Sequence, residues 1–234
     1  MYYNIRMKHK IVLFLACFSL LILANPVSAH QPRLIYNDVS TIEKPFIINN
    51  PDISQAYYGE FKNQQPEYFQ VTLNQDGNLY LSLLTPYNQE SAKEVSAVVI
   101  KTNSPDSSIA MSLSGKDFPW IKYYEDYAGD NYFQGPSLEK KLTAGTYSIS
   151  VSSKNNTGKY VLVTGKIESF PFGEMIKALL NLPALKMVFF GTSFFSIFAG
   201  IIGKYLLYSL ITLIIITILV GYLIKRKFNK RKNG

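Results

Sequence analysis

The residues best suited to chemistry fall in one stretch, 115–136, which reads GKDFPWIKYYEDYAGDNYFQGP. It gathers Phe118, Trp120, Tyr123, Tyr124, Tyr127, Tyr132 and Phe133 with Glu125, Asp126, Asp130 and Asn131. Three uses fit those residue types. The rings can plug the open end of a fold and leave hydroxyls and acids to water. They can also form a recognition surface for a glycan or a partner protein, since Tyr and Trp combine rigid contact area with a polar tip. Trp120, Tyr123, Tyr124, Tyr127, Tyr132 and Phe133 are the residues for that role. Asp126, Asp130 and Asn131, with Glu125 beside them, offer oxygens to calcium, which takes roughly six to eight. Their spacing is not that of an EF-hand loop.

Chemistry is scarce elsewhere. His30 is the single histidine after residue 29, and Cys17 is the single cysteine of the chain. If a leader is removed after Ala29, His30 joins a terminal amine to an imidazole, a pair that can chelate copper. A usual site of that kind holds a second histidine, and none follows residue 30. No GxSxG, HExxH, phosphate-binding loop or GxGxxG occurs. Ser-Lys and paired-carboxylate chemistry depend on distances, which spacing does not supply. The expectation is a chain that is not an enzyme and holds no resident cofactor, calcium and copper being the metals its residues would admit.

The flanking sequence supplies the scaffold. In EYFQVTL, Phe69, Val71 and Leu73 share one face and Gln70 and Thr72 the other. Leu79, Leu81 and Leu83 align likewise, as do Tyr147, Ile149 and Val151 against Ser148, Ser150 and Ser152. In KYVLVTGKI, Tyr160 and Leu162 oppose Val161 and Val163. Period two predicts strands, near 42–49, 56–61, 67–73, 78–85, 95–102, 109–113, 145–152 and 158–167, with a shorter one near 136–142. Gln75-Asp76-Gly77-Asn78 and Lys154-Asn155-Asn156-Thr157-Gly158 carry turn chemistry between them. The fold class expected over 30–168 is mainly β, an antiparallel β-sandwich of jelly-roll type. The 115–136 stretch breaks the alternation and reads as a long loop at one end, where binding residues usually sit.

The segment LTAGTYSISVSSKNNTGKYVLVTG resembles the closing strands of bacterial pre-peptidase C-terminal domains and related jelly rolls, a "GxY" strand followed by a Gly-bearing turn and a "YxL" strand. PEYFQVTLNQDGNLYLSLL resembles their earlier hairpin. Together these cover about 67–85 and 142–165. The resemblance implies a non-catalytic accessory domain. The aromatic insertion departs from the family pattern, so the resemblance says nothing of a ligand there.

The remaining sequence speaks of a membrane. Residues 205–224, YLLYSLITLIIITILVGYLI, hold no charge and match the ~30 Å hydrocarbon core at about 1.5 Å per helical residue. Lys225, Arg226, Lys227, Lys230, Arg231 and Lys232 follow at once, which predicts a cytoplasmic C-terminus over 225–234. Arg6, Lys8 and Lys10, an apolar run over 11–23 and Val27-Ser28-Ala29 predict a signal peptide over 1–29. These two ends account for the net charge of +8, because the intervening fifteen Lys/Arg and sixteen Asp/Glu leave −1. Nucleic-acid binding thereby loses its support.

The connector, 169–204, is apolar but broken by Pro171, Gly173, Pro183, Gly191, Gly200 and Gly203. Met175, Ile176, Leu179, Leu180 and Leu182 predict a short amphipathic helix with Glu174 and Lys177 on its polar side, ended or kinked at Pro183. Residues 187–202 read as a helix in the headgroup zone, with Lys186 and Lys204 reaching water. A first span turning at Lys204 and one continuous helix are the alternatives.

The expectation is an exported, single-pass type I protein of the cell membrane with an extracytoplasmic sandwich. Its role would be binding or accessory, presenting the aromatic loop to a glycan or an envelope-protein partner. A copper-handling or redox-accessory role through His30 is the alternative, and an enzyme the third.

Overall fold

The computed structural model describes residues 30–87, 93–102 and 108–232. The expected signal peptide and the last two residues of the basic tail lie outside the described residues. In chain order come β1 (Gln31–Leu34), β2 (Phe46–Ile48), β3 (Gln55–Glu60), β4 (Glu67–Leu73), β5 (Gly77–Pro86) and β6 (Ser96–Lys101). Then come β7 (Ile109–Leu113), β8 (Ile121–Glu125), β9 (Asp130–Leu142), β10 (Gly145–Ser152) and β11 (Lys159–Thr164). The connector forms α1 (Phe172–Ala184), a π-helical turn (Leu185–Phe189) and a 3-10 segment (Phe194–Phe198). The last element is α2 (Ile201–Lys232).

The strands make two sheets, a six-stranded one in the order β1-β3-β11-β5-β9-β8 and a five-stranded one in the order β2-β4-β10-β6-β7. The fold is a β-sandwich. It departs from a purely antiparallel one where β1 pairs parallel with β3 and β2 parallel with β4. The strand expected over 42–49 shortens to β2, because Thr41 and Lys44 close a turn on each other's backbone.

Alternation fills the space between the sheets. Phe69, Val71, Leu79, Leu81, Leu83, Val99, Ile149, Val151 and Leu162 are buried there in one cluster. The opposite face of the six-stranded sheet is buried as well. Ala56, Tyr58, Leu84, Tyr132, Val161 and Val163 pack there with Leu185 and Phe189 of the connector. β11 is thus covered on both sides, which is why its residues are apolar at both parities. The period-two rule of one wet face holds only where nothing lies over the sheet.

The cover is α1 and the turn after it. Ala178, Leu182, Leu185 and Phe189 are buried and recur at the spacing of one helix face. Phe189 meets Tyr58 edge-on at 5.1 Å and Phe190 meets Tyr132 at 5.3 Å. Pro183 lies inside α1 and precedes the widened turn, as expected where proline removes a helical N–H. Lys159 donates to the Val188 and Phe189 carbonyls at 2.7 and 2.9 Å, closing that turn against β11.

α2 is mostly exposed over 207–229, and its first turn is packed. Its segment Ile201–Asn229 is long and apolar enough to cross a membrane. The helix is longer than the expected 205–224 at both ends. It begins against the sandwich itself, and it carries on through the basic residues that follow the apolar run.

Candidate functional site

The expected aromatic loop is a correction. Residues 121–142 form a hairpin in which Tyr123 pairs with Tyr132 and Glu125 with Asp130. The turn over 126–129 is built by Glu125. Its carboxylate accepts the N–H groups of Tyr127 and Ala128, both at 2.8 Å, and its carbonyl accepts the N–H of Gly129 at 2.9 Å. Gly129 has a φ of +78°, which a side chain disfavours.

A break in register on β9 then decides where the rings go. Ser82 pairs with Ser137, but Leu84 pairs with Gln134, so Gly135 and Pro136 form a bulge. A bulge re-aims the residues beyond it. Tyr132 is thereby turned onto the connector side, where its hydroxyl lies 3.2 Å from that of Tyr58. Trp120 crosses the bulge. A Cβ at Gly135 would run into its ring, and one at Gly115 into its ring and the Val95 carbonyl. The Trp120 indole N–H donates to the Gly115 carbonyl at 2.9 Å.

The centre of the junction is Lys186. Its side chain is 0% exposed, and that of its partner Asp130 is 4% exposed. The ammonium donates to Asp130 Oδ1 at 2.6 Å and to the Ala128 carbonyl at 2.6 Å. This corrects the expectation that Lys186 reaches water. Asp130 Oδ2 is buried with no hydrogen-bond partner among the described residues. Burial pushes the Asp130 carboxyl up, with Lys186 acting against it. Burial also pushes Glu125 up against the N–H groups it accepts. Two carboxyls held above the usual range, one cation and the Tyr58–Tyr132 pair form one polar knot inside an otherwise apolar layer.

α2 is tied to the same turn. Ile201 N–H donates to the Asp126 carbonyl at 3.0 Å and Ile202 N–H to that of Tyr127 at 3.2 Å. Gly200 lies on the backbone of Tyr127 and Ala128, and Gly129 on that of Gly200, each without room for a Cβ. At the far end of α1, Glu174 pairs with Arg33 at 2.6 Å and Lys177 at 2.9 Å. Burial raises the Glu174 pKa, but hydrogen bonds from those two cations outweigh it and the net direction is down.

The expected site residues are therefore divided. Tyr132 is a core residue, Trp120 is a half-buried clamp, and Tyr127 and Phe133 are half-buried against Phe170 and Tyr87. Tyr123 and Tyr124 remain open on β8. The calcium set is not brought together, since Asp130 points to Lys186 while Asp126 and Asn131 stand exposed on the hairpin. His30 turns its ring to the Ser54 hydroxyl, and burial lowers its pKa against the charge of Glu168. Among the described residues, no group of three His, Cys, Asp or Glu side chains is placed to hold a metal.

His30, Tyr58, Tyr123, Glu125, Tyr127 and Asn181 line a cavity of about 50 Å³. That is room for a few waters, far below the roughly 300–1,000 Å³ of small-molecule sites. The sequence reading sent Lys186 to water, took Gly200 only as a break in the connector and did not single out Arg33. The available signals were the two-faced apolar strand β11 and Lys186 with apolar residues on both sides.

β8 is the edge of the six-stranded sheet. Ile121 is 58% exposed and Tyr124 44%. Among the described residues no strand pairs with its outer side, so that row of backbone groups is open. Lys122 lies over the Tyr87 ring at 4.3 Å.

No protein-family model matches the chain. No curated protein matches it. Among solved structures it is similar to the pre-peptidase C-terminal domain of collagenase from Bacillus anthracis, with TM-score 0.33 and 9% identity over 59% of this chain and 97% of that one. It is also similar to PliG of Salmonella Typhimurium, a periplasmic inhibitor of g-type lysozyme (TM-score 0.27, 13% identity, 52% of this chain, 96% of that one). A third is CorA, a surface-associated copper-binding protein of Methylomicrobium album BG8 (TM-score 0.28, 10% identity, 52% of this chain, 98% of that one). The first belongs to the domain class that the two hairpin motifs resemble. At these identities and scores the likeness concerns the fold alone.

Proposed function

We propose that this chain is a membrane-anchored, extracytoplasmic binding protein without catalytic activity, and that it recognises a partner protein through the open edge of β8. The observation that carries the reading is the edge itself. A strand with Ile121, Tyr123 and Tyr124 exposed and its outer side unpaired offers backbone hydrogen bonds for affinity and tyrosines for specificity. Those are the two components of recognition by strand addition. An extended protein segment can continue the strand ladder and contact the rings, whereas a glycan has no peptide backbone with which to extend the sheet. The anchor is α2, and the basic residues after its apolar run favour a cytoplasmic C-terminus with the sandwich outside.

The test is cross-linking and capture of full-length protein from its own membrane, comparing wild type with an Ile121→Lys/Tyr124→Lys variant. These are the two most exposed of the three side chains, so the variant is expected to keep its thermal unfolding midpoint and lose the captured partner. Capture of the same partner at an unchanged level would remove β8 from the reading.

A further inference from the structure

α1 carries apolar residues on two opposite faces. Ala178 and Leu182 face the sheet. At about 100° per residue, Phe172, Ile176 and Leu180 fall on the other side, and all three are exposed, with Leu180 at 72%. The polar stripe between the faces holds Glu174, Lys177 and Asn181. Glu174 is already occupied by Arg33 and Lys177. The exposed apolar surface continues into the 3-10 segment, where Phe194 is exposed and Phe195 is 76% exposed. A helix that is apolar on both sides lies between two apolar phases. The sheet is one of them.

The position of α2 identifies the other. Its span starts at Ile201, six residues after Phe195. The two N–H groups at its start are bonded to the Asp126 and Tyr127 carbonyls, and Gly200 sits on the same turn. No slack joins the sandwich to the span, so the hairpin turn stands at the level where the helix enters the membrane. Lys177 and Lys204 are exposed at the border of the apolar surface, where cations meet headgroups.

We infer that the outer surface of the connector is a lipid seat: Phe172, Ile176, Leu180, Phe194 and Phe195 enter the headgroup–acyl boundary of the bilayer that α2 spans, and the sandwich stands on the membrane as one body with its anchor. This rests on the membrane-anchored part of the proposed function and not on the partner edge. It differs from the expectation of an interfacial helix over 187–202. The helix that lies in the interface is α1, and 187–202 holds the end of the π-helical turn, the 3-10 segment and the start of α2 rather than one helix.

The test uses full-length protein with Cys17→Ser, reconstituted in phosphatidylcholine–phosphatidylglycerol vesicles. Nitroxide labels are placed singly at Leu180→Cys, Phe195→Cys, Leu213→Cys in the span and Thr72→Cys, which is exposed on the five-stranded sheet at the end away from the β8–β9 turn. Labels at 180 and 195 should match 213 in being reached by oxygen and shielded from a water-soluble nickel chelate, with a ratio several-fold above that at 72. If 180 and 195 behave like 72, the seat is overturned while the anchor stands. Shielding from both reagents means that protein covers the surface, and overturns it too. Nickel access at 213 overturns the anchor and the seat together. Should a labelled variant fail to reconstitute, Phe195→Trp and Leu180→Trp replace it. Brominated phosphatidylcholine should then quench their emission in excess of the Trp120 background, and unchanged emission would sink the inference.

Discussion

Replacing Asp130 by alanine leaves the Lys186 ammonium inside the junction with backbone carbonyls alone. Removing one partner of a buried pair typically costs about 3–5 kcal/mol, whereas replacing both by apolar residues is often neutral or better. Asp130→Ala is therefore expected to lower stability by that amount in urea unfolding. Asp130→Leu with Lys186→Met should recover most of it, and a double variant as weak as the single would mean that the polar knot itself is needed. A second residue tests the pH dependence. Glu67 is 2% exposed, and its carboxylate accepts the Ser40 hydroxyl at 2.6 Å and N–H at 3.2 Å. Burial raises its pKa against those bonds. A raised carboxyl contributes stability that is complete below its unfolded pKa and fades as pH rises through the folded one. Asp130 and Glu125 have the same sign. Glu174 is lowered, so its contribution fades only as pH falls through its folded value, below the usual carboxylate range. His30 is lowered as well and acts in the opposite sense, adding stability as pH rises toward its unfolded value, so the test is the difference between variants: Glu67→Gln should remove part of the loss of stability seen as pH rises above the usual carboxylate range, and an unchanged pH profile would show that Glu67 does not contribute. Asp130 and Trp120 were legible as residues of consequence, but not in their roles. A carboxylate reads as a ligand until its lysine, 56 positions away, is known to sit beside it.

Elements were read best where one face is wet. Strands β4, β7 and β10 match their expected bounds residue for residue, because Thr72, Ser112 and the serines of β10 mark the solvent side. β8 and the first half of β9 were read as a loop for a physical reason. Tyrosine satisfies a wet face and a dry one alike, so consecutive Tyr123 and Tyr124 erase the alternation, and the bulge at Gly135–Pro136 shifts its phase. β1 was missed because four residues containing Pro32 carry too little pattern. The connector shows how tightly the elements meet. Gly200→Ala would drive a methyl into the backbone of Tyr127 and Ala128. It should cost about 1–3 kcal/mol, as overpacking does, and raise hydrogen exchange at Ile201 and Ile202. Gly221→Ala, with open space around it, should change neither. Equal effects of the two would mean that the turn and the helix start are not locked.

At the scale of the whole molecule, the six-stranded sheet needs its connector. The division of the sequence at 168 places the sandwich on one side and the connector on the other. The packing argues for a different cut, since Ala56, Tyr58, Leu84, Tyr132, Val161 and Val163 lie under Leu185 and Phe189. A chain ending at 168 would expose this set to water, at roughly 1.5–3 kcal/mol for each large side chain. It would also leave Asp130 without its cation and Arg33 without Glu174. A domain of residues 30–168 is therefore expected to bind a hydrophobic dye, to aggregate, and to unfold at a lower temperature than residues 30–200, which keep α1, the π-helical turn and Lys186. The longer piece should retain the Lys186 contacts while losing the Ile201 and Ile202 bonds, so its unfolding temperature should fall between those of the short piece and the full chain. Thermal unfolding of the three in one detergent orders them. If residues 30–168 melt as high as 30–200, the connector is a passive cover, and the apolar residues at both parities of β11 would need another explanation.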